Sequence, residues 1–199
     1  MSDDHAYQAI SAYGHGLNNT PNIDRIAKEG ALFNKGFVTN SICAPSRAVM
    51  LTGKHSFVNG KVDNIQDFNW DQDNFAKQLQ KAGYQTAMVG KIHLRGLPQG
   101  FDYSAVLPGQ GHYYNPDFII DGVKKQIEGY VTSITTQLSL DWLKNKRNKA
   151  QLLTSQCRWR IWRKYRLCAQ KYRSVENNSQ RRQNRSVKSM STRSQLPKH

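Results

Sequence analysis

Cys43-Ala44-Pro45-Ser46-Arg47-Ala48-Val49-Met50-Leu51-Thr52-Gly53 is the stretch on which the reading of this chain turns. Pro45 suits the first turn of a helix, where its missing N–H costs nothing. The pattern therefore predicts a helix opening at Cys43, with the cysteine at the positive end of the helix dipole. Arg47, one turn further on, is expected to point back towards the cysteine, and such a place favours an anionic group. On its own, a cysteine before a helix is equally compatible with a small, inert core side chain.

The charge of the chain has two parts. Residues 1–145 hold 13 of the 29 Lys and Arg and 13 of the 14 Asp and Glu, and so are neutral. Residues 146–199 hold the other 16 basic residues and one acid, Glu176, and carry the whole net charge of +15. That distribution argues against nucleic-acid binding by the first 145 residues. The three cysteines, Cys43, Cys157 and Cys168, form no CxxC pair and suggest neither a disulfide framework nor a structural zinc site. No apolar run is long enough to span a bilayer, and no apolar leader follows Met1.

Taken outward from Cys43, the chain reads as alternating helices and strands. Asp3 and Asp4 are adjacent carboxylates, which either sit solvated near the terminus or gather around a hard cation. Thr20-Pro21 opens a helix with Ile23, Ile26 and Ala27 on its apolar face and Gly30 as its stop. Leu32, Phe33, Phe37 and Val38 suggest a strand over 31–39 with a kink at Gly36. Residues 54–73 read as surface loop. Asp73 or Asn74 then caps a helix through Phe75, Leu79 and Ala82, and a short strand over 84–89 follows. Directly after it comes Gly90-Lys91-Ile92-His93-Leu94, where a lysine and a histidine two apart in extended chain share one face and can address one anion. Asp121-Gly122 marks a hairpin, and residues 132–145 form a helix with Ile134, Leu138 and Trp142 on one face. Helix-then-strand units of this kind define an α/β class with a parallel component in its sheet.

The stretch at Cys43 resembles the sulfatase signature Cys-x-Pro-Ser-Arg-x-x-x-Leu-Thr-Gly at every fixed position. The resemblance extends to Ser2-Asp3-Asp4-His5, to Asn22-Ile23-Asp24-Arg25-Ile26-Ala27, and to Gly90-Lys91-Ile92-His93-Leu94, where Ile92 stands in place of the family's usual tryptophan. Gly100-Phe101-Asp102-Tyr103 and the aromatic run from Leu107 to Phe118 look like the branch of N-acetylglucosamine-6-sulfatases and related glycan sulfatases. The resemblance implies the amino-terminal part of an alkaline-phosphatase-like fold, a mixed sheet flanked by helices, here incomplete. It implies that a formylglycine-generating enzyme converts Cys43 to Cα-formylglycine, whose hydrated aldehyde attacks the sulfur of a sulfate ester, in this branch that of a sulfated sugar. It also implies Ca2+ held by Asp3, Asp4 and the modified Cys43, with Arg47 and Lys91 holding the diol and offsetting developing negative charge, and His93 hydrogen-bonding the second hydroxyl and assisting its deprotonation. Family members are usually exported.

The resemblance covers about residues 2–145, and residues 1–145 are expected to form a truncated catalytic domain. The family's strand before Asp3 has no counterpart, so Met1 is expected to be internal to a longer reading frame. The remaining calcium ligands and the later histidine and lysine of the family fall beyond residue 150, so the chain as written is expected to be inactive. Residues 146–199 are expected to form a disordered or frameshifted basic tail. Two other readings stay open: a phosphate or phosphonate ester hydrolase of the same superfamily, and a basic nucleic-acid- or membrane-binding protein acting through the tail.

Overall fold

The computed structural model describes residues 1–145 and 151–158. In chain order these form strand β1 (Ser2–Asp3), two single 3-10 turns (Tyr7–Ala9 and Ser11–Tyr13), and helices α1 (Pro21–Glu29), α2 (Cys43–Thr52), α3 (Ser56–Asn59) and α4 (Phe75–Lys81). Strands β2 (Gln85–Lys91), β3 (Tyr103–Leu107), β4 (Asp117–Ile120) and β5 (Val123–Gln126) follow, then helix α5 (Val131–Asn145) and strand β6 (Gln151–Arg158). The strands make one mixed sheet in the order β1-β6-β2-β3-β4-β5. The first four are parallel to one another, and β4 and β5 add an antiparallel hairpin at the edge.

Around β2 and β3 the sheet is apolar on both sides, as parallel strands covered on both faces require. Alternation along β2 and β3 sends Met88 and Val106 to one face and Val89, Ala105 and Leu107 to the other. Ala44, Ala48 and Leu51 of α2 cover the first face together with Phe68 and Trp70. Val131 and Ile134 of α5 cover the second, with Phe118. Asn74 caps α4 by accepting the Ala76 and Lys77 N–H groups on its side-chain oxygen, at 3.0 and 3.1 Å.

Four expectations are corrected. Residues 31–39 form no strand, and Phe37 is 93% exposed. A strand needs a neighbour to take its backbone groups, and among the described residues none lies beside this segment. The apolar face of α1 is only partly covered: Ile26 is 67% exposed and no residue of the helix is fully buried. The helix is tied down instead by Asp24, whose carboxylate accepts from the Ser11 and Thr20 hydroxyls and the Ala12 N–H. Residues 54–73 are not all surface loop: Phe68 and Trp70 pack edge-to-face in the core at 4.9 Å, and Lys61 is buried. The ordered sheet also continues past residue 145, since β6 lies between β1 and β2 in parallel register from Gln85 opposite Gln151 to Gly90 opposite Gln156. A short run of β-forming residues in a basic context gives little periodic signal, and its strand character comes from the two neighbours it pairs with. The tail beyond Arg158 lies outside the described residues.

Candidate active site

α2 starts at Cys43 because Ile42 takes up extended backbone and its carbonyl accepts the Ser46 N–H at 2.9 Å. Ile42 has no side-chain group to cap the exposed N–H groups of the first turn. A residue from the following loop does so: Asn64 Oδ1 accepts the Ala44 N–H at 3.1 Å. The same oxygen lies 3.5 Å from Cys43 Sγ and accepts from the thiol.

His93 approaches the thiol from the other side, with Nδ1 2.9 Å from Sγ. β2 ends at Lys91, and His93 adopts a left-handed backbone with φ of 52°. The expected shared face for Lys91 and His93 is therefore corrected, because extended geometry stops before the histidine. Lys91 donates to Asp3 Oδ2 at 2.8 Å. Arg47 meets the same carboxylate. It donates to Asp3 Oδ1 at 2.7 Å and to the Lys91 backbone carbonyl.

Asp3, Arg47 and Lys91 thus form a buried trio of one carboxylate and two cations, with a net charge of +1 close to the start of α2. Burial alone would raise the Asp3 carboxyl, but its hydrogen bonds to Lys91 and Arg47 and their positive charges outweigh this and hold it below its ordinary value. His93 is also pushed below its ordinary value. Burial is the leading cause, the cations of Lys91, Arg47 and Lys61 add to it, and Asp3 opposes. A neutral imidazole beside Cys43 follows at neutral pH, able to accept or donate at Nδ1 according to its tautomer.

Asp3 is buried with both oxygens engaged by cations, whereas Asp4 is exposed on a left-handed backbone with φ of 53°. Among the described residues no group of three or more His, Cys, Asp or Glu is placed to hold a metal ion. Calcium takes six to eight oxygen ligands, so the described residues do not by themselves form its site.

Asn64 is the site residue that the sequence reading missed. Its only signal was the Asp63-Asn64 dipeptide, which marks a turn: Asp63 Oδ1 accepts the Ile65 and Gln66 N–H groups at 2.8 and 2.9 Å.

A family model described as Sulfatase matches residues 1–185, and the chain belongs to that family. Over 149 residues it is 51% identical to the N-acetylglucosamine-6-O-sulfatase of Bacteroides thetaiotaomicron, covering 73% of this chain and 27% of that protein. It is 35% identical to human N-acetylgalactosamine-6-sulfatase over 124 residues, covering 51% of this chain and 23% of the relative. A solved structure of a protein in complex with its substrate D-glucosamine-2-N,6-O-disulfate matches with a TM-score of 0.79 at 47% identity, over 83% of this chain and 34% of that one. The alkaline-phosphatase-like sulfatase architecture expected for the mixed sheet is thereby established. The chain spans about a quarter to a third of the length of these relatives. No helix among the described residues is long and apolar enough to cross a membrane.

Proposed function

We propose that the described residues are the nucleophile-bearing part of a formylglycine-dependent sulfatase that removes 6-O-sulfate from a glucosamine-containing glycan. The observation that carries this reading is Cys43 at the first position of α2 with His93 Nδ1 on its sulfur, inside a full signature motif. The substrate class rests on the 51% identity to an N-acetylglucosamine-6-O-sulfatase.

Formylglycine at position 43, installed by a formylglycine-generating enzyme, supplies a hydrated aldehyde as the nucleophile. The chain's own residues prepare its surroundings. His93 holds a neutral imidazole against position 43, where it accepts a proton from the attacking group. Arg47 and Lys91, held by Asp3, set a fixed positive field for the sulfate without reorganisation during the reaction. Catalytic assignment thus falls on Cys43, Arg47, Lys91 and His93, with Asp3 as the anchor of the two cations. Sulfatases in general use calcium. Here Asp3 and Asp4 are its candidate ligands, and a complete set would draw on groups outside the described residues.

A chimera tests the proposal. Residues 1–145 replace the matching segment of the Bacteroides thetaiotaomicron enzyme, and the product is assayed for inorganic sulfate release from N-acetylglucosamine-6-O-sulfate. Sulfate release that Cys43→Ala abolishes is the expected result. A chimera carrying formylglycine that hydrolyses a phosphate or phosphonate ester but not the sulfate ester would overturn it.

A further inference from the structure

Cys43 Sγ is flanked by two hydrogen-bond partners, His93 Nδ1 at 2.9 Å and Asn64 Oδ1 at 3.5 Å. A thiol has one proton to share between them, and Asn64 Oδ1 can only accept. A carbon bearing two hydroxyl groups has one for each side. The surroundings of position 43 therefore accommodate a geminal diol, with an acceptor at Asn64 Oδ1 for one hydroxyl and the imidazole for the other, and Sγ marks the reach of both partners.

We propose that Asn64 holds the hydrated form of formylglycine, its Oδ1 accepting one diol hydroxyl while the other faces His93. This rests on the formylglycine reading above and adds a residue to it. Hydration is a simple addition: the oxygen of water bonds to the aldehyde carbon, a proton ends on the former carbonyl oxygen, and nothing is oxidised or reduced. An acceptor aimed at a hydroxyl stabilises the diol and has nothing to offer the bare carbonyl, so Asn64 biases the equilibrium towards hydrate.

The loop is built to hold this oxygen still. Asp63 closes a turn on Ile65 and Gln66, and the buried Lys61 ammonium donates to the Gln66 carbonyl. Asn59 Oδ1 accepts the Lys61 N–H at 2.8 Å, and Asn40 Nδ2 donates to the Val62 carbonyl at 3.4 Å. Asn64 Oδ1 is fixed a second time by the Ala44 N–H, so movement of the loop and movement of the helix start are linked.

The test uses the full chain, matured with a formylglycine-generating enzyme after labelling its cysteines with 13C at the β-carbon. Carbon NMR then distinguishes the aldehyde from its hydrate without requiring turnover. Hydrate is expected to dominate in the unsubstituted chain. In Asn64→Ala the hydrate-to-aldehyde ratio is expected to fall about tenfold, the upper scale of one net hydrogen bond. Asn64→Asp retains an acceptor at the same place, preserves the cap on Ala44, and is expected to keep the ratio at or above that of the unsubstituted chain. If Asn64→Ala fails to fold, the Asp variant alone decides, since a tenfold fall there removes the acceptor role. An unchanged ratio in a folded Asn64→Ala chain overturns the role of Asn64. Absence of formylglycine from the unsubstituted chain overturns instead the reading on which it rests.

Discussion

Cys43 Sγ and His93 Nδ1 lie 2.9 Å apart although 50 positions separate the two residues in sequence. Two local features produce the meeting. α2 opens at Cys43, and β2 stops at Lys91, after which the left-handed His93 brings its imidazole to the helix start. Non-glycine residues adopt that backbone at a cost of about 1 kcal/mol or more, and such positions concentrate at functional sites. Beside the pair, Asp3 gathers Arg47 and Lys91 into a rigid cationic wall.

Asp3 is the anchor of that wall. Asp3→Asn leaves two buried cations without their counter-charge and is expected to destabilise the chain by about 3–5 kcal/mol. Asp4→Asn, at an exposed position, is expected to stay within about 0.5 kcal/mol. Urea denaturation of the two variants makes the comparison, and equal losses would contradict the buried-anchor role.

Gly100 and Gly122 both have positive φ, 90° and 87°, yet differ in what a methyl group would meet. At Gly100 it would lie 2.8 Å from the Lys77 backbone nitrogen and 3.1 Å from Asn74 Oδ1, the oxygen that caps α4. At Gly122 it would meet only Leu97 Cδ1 at an ordinary 3.7 Å. Gly122→Ala is expected to cost about 1 kcal/mol from backbone strain, and Gly100→Ala at least about 1 kcal/mol more through the added loss of the cap. Thermal or denaturant midpoints rank the two.

Asp24 ties α1 to the preceding turn, and its carboxyl is held below the ordinary value. The Ser11 hydroxyl contributes most, partial burial opposes it, and Thr20, the Ala12 N–H and Lys28 assist. A carboxyl depressed in the fold contributes stability above its ordinary value and loses it as pH falls through the depressed one. The Ala12 amide, which donates to Asp24 at 3.0 Å, is expected to shift in NMR spectra only in that acid range. Asp24→Asn is expected to abolish the transition.

Lys61 is one of the cations that lower the His93 pKa. Lys61→Met is expected to move the His93 titration up towards the ordinary histidine value, because one positive charge near the imidazole is gone. A proton NMR titration reads this directly. A downward shift would contradict the assignment.

Local signals made much of this legible in the sequence. The helix at Cys43, the cap at Asn74, the β4–β5 hairpin at Asp121-Gly122 and α5 each depend on residues adjacent in sequence, and each was read. Misreadings came where partners are remote. The apolar residues of 31–39 carry strand propensity without a strand to pair with among the described residues. β3 and β6 are short runs whose strand character comes from lying beside β2. Within the site, Cys43, Arg47, Lys91 and His93 were named from the motifs. Spacing alone could not tell that Arg47 and Lys91 turn to Asp3, or that an asparagine 20 positions past Ala44 would cap its N–H.

The most direct test of the central claim is the mass of the peptide containing Cys43, taken from the full chain produced together with a formylglycine-generating enzyme. A loss of about 18 Da relative to the cysteine peptide, the difference between a thiol and an aldehyde, is the predicted result. A peptide that keeps the mass of cysteine throughout would contradict the account, because position 43 would then lack the nucleophile for which its surroundings are arranged.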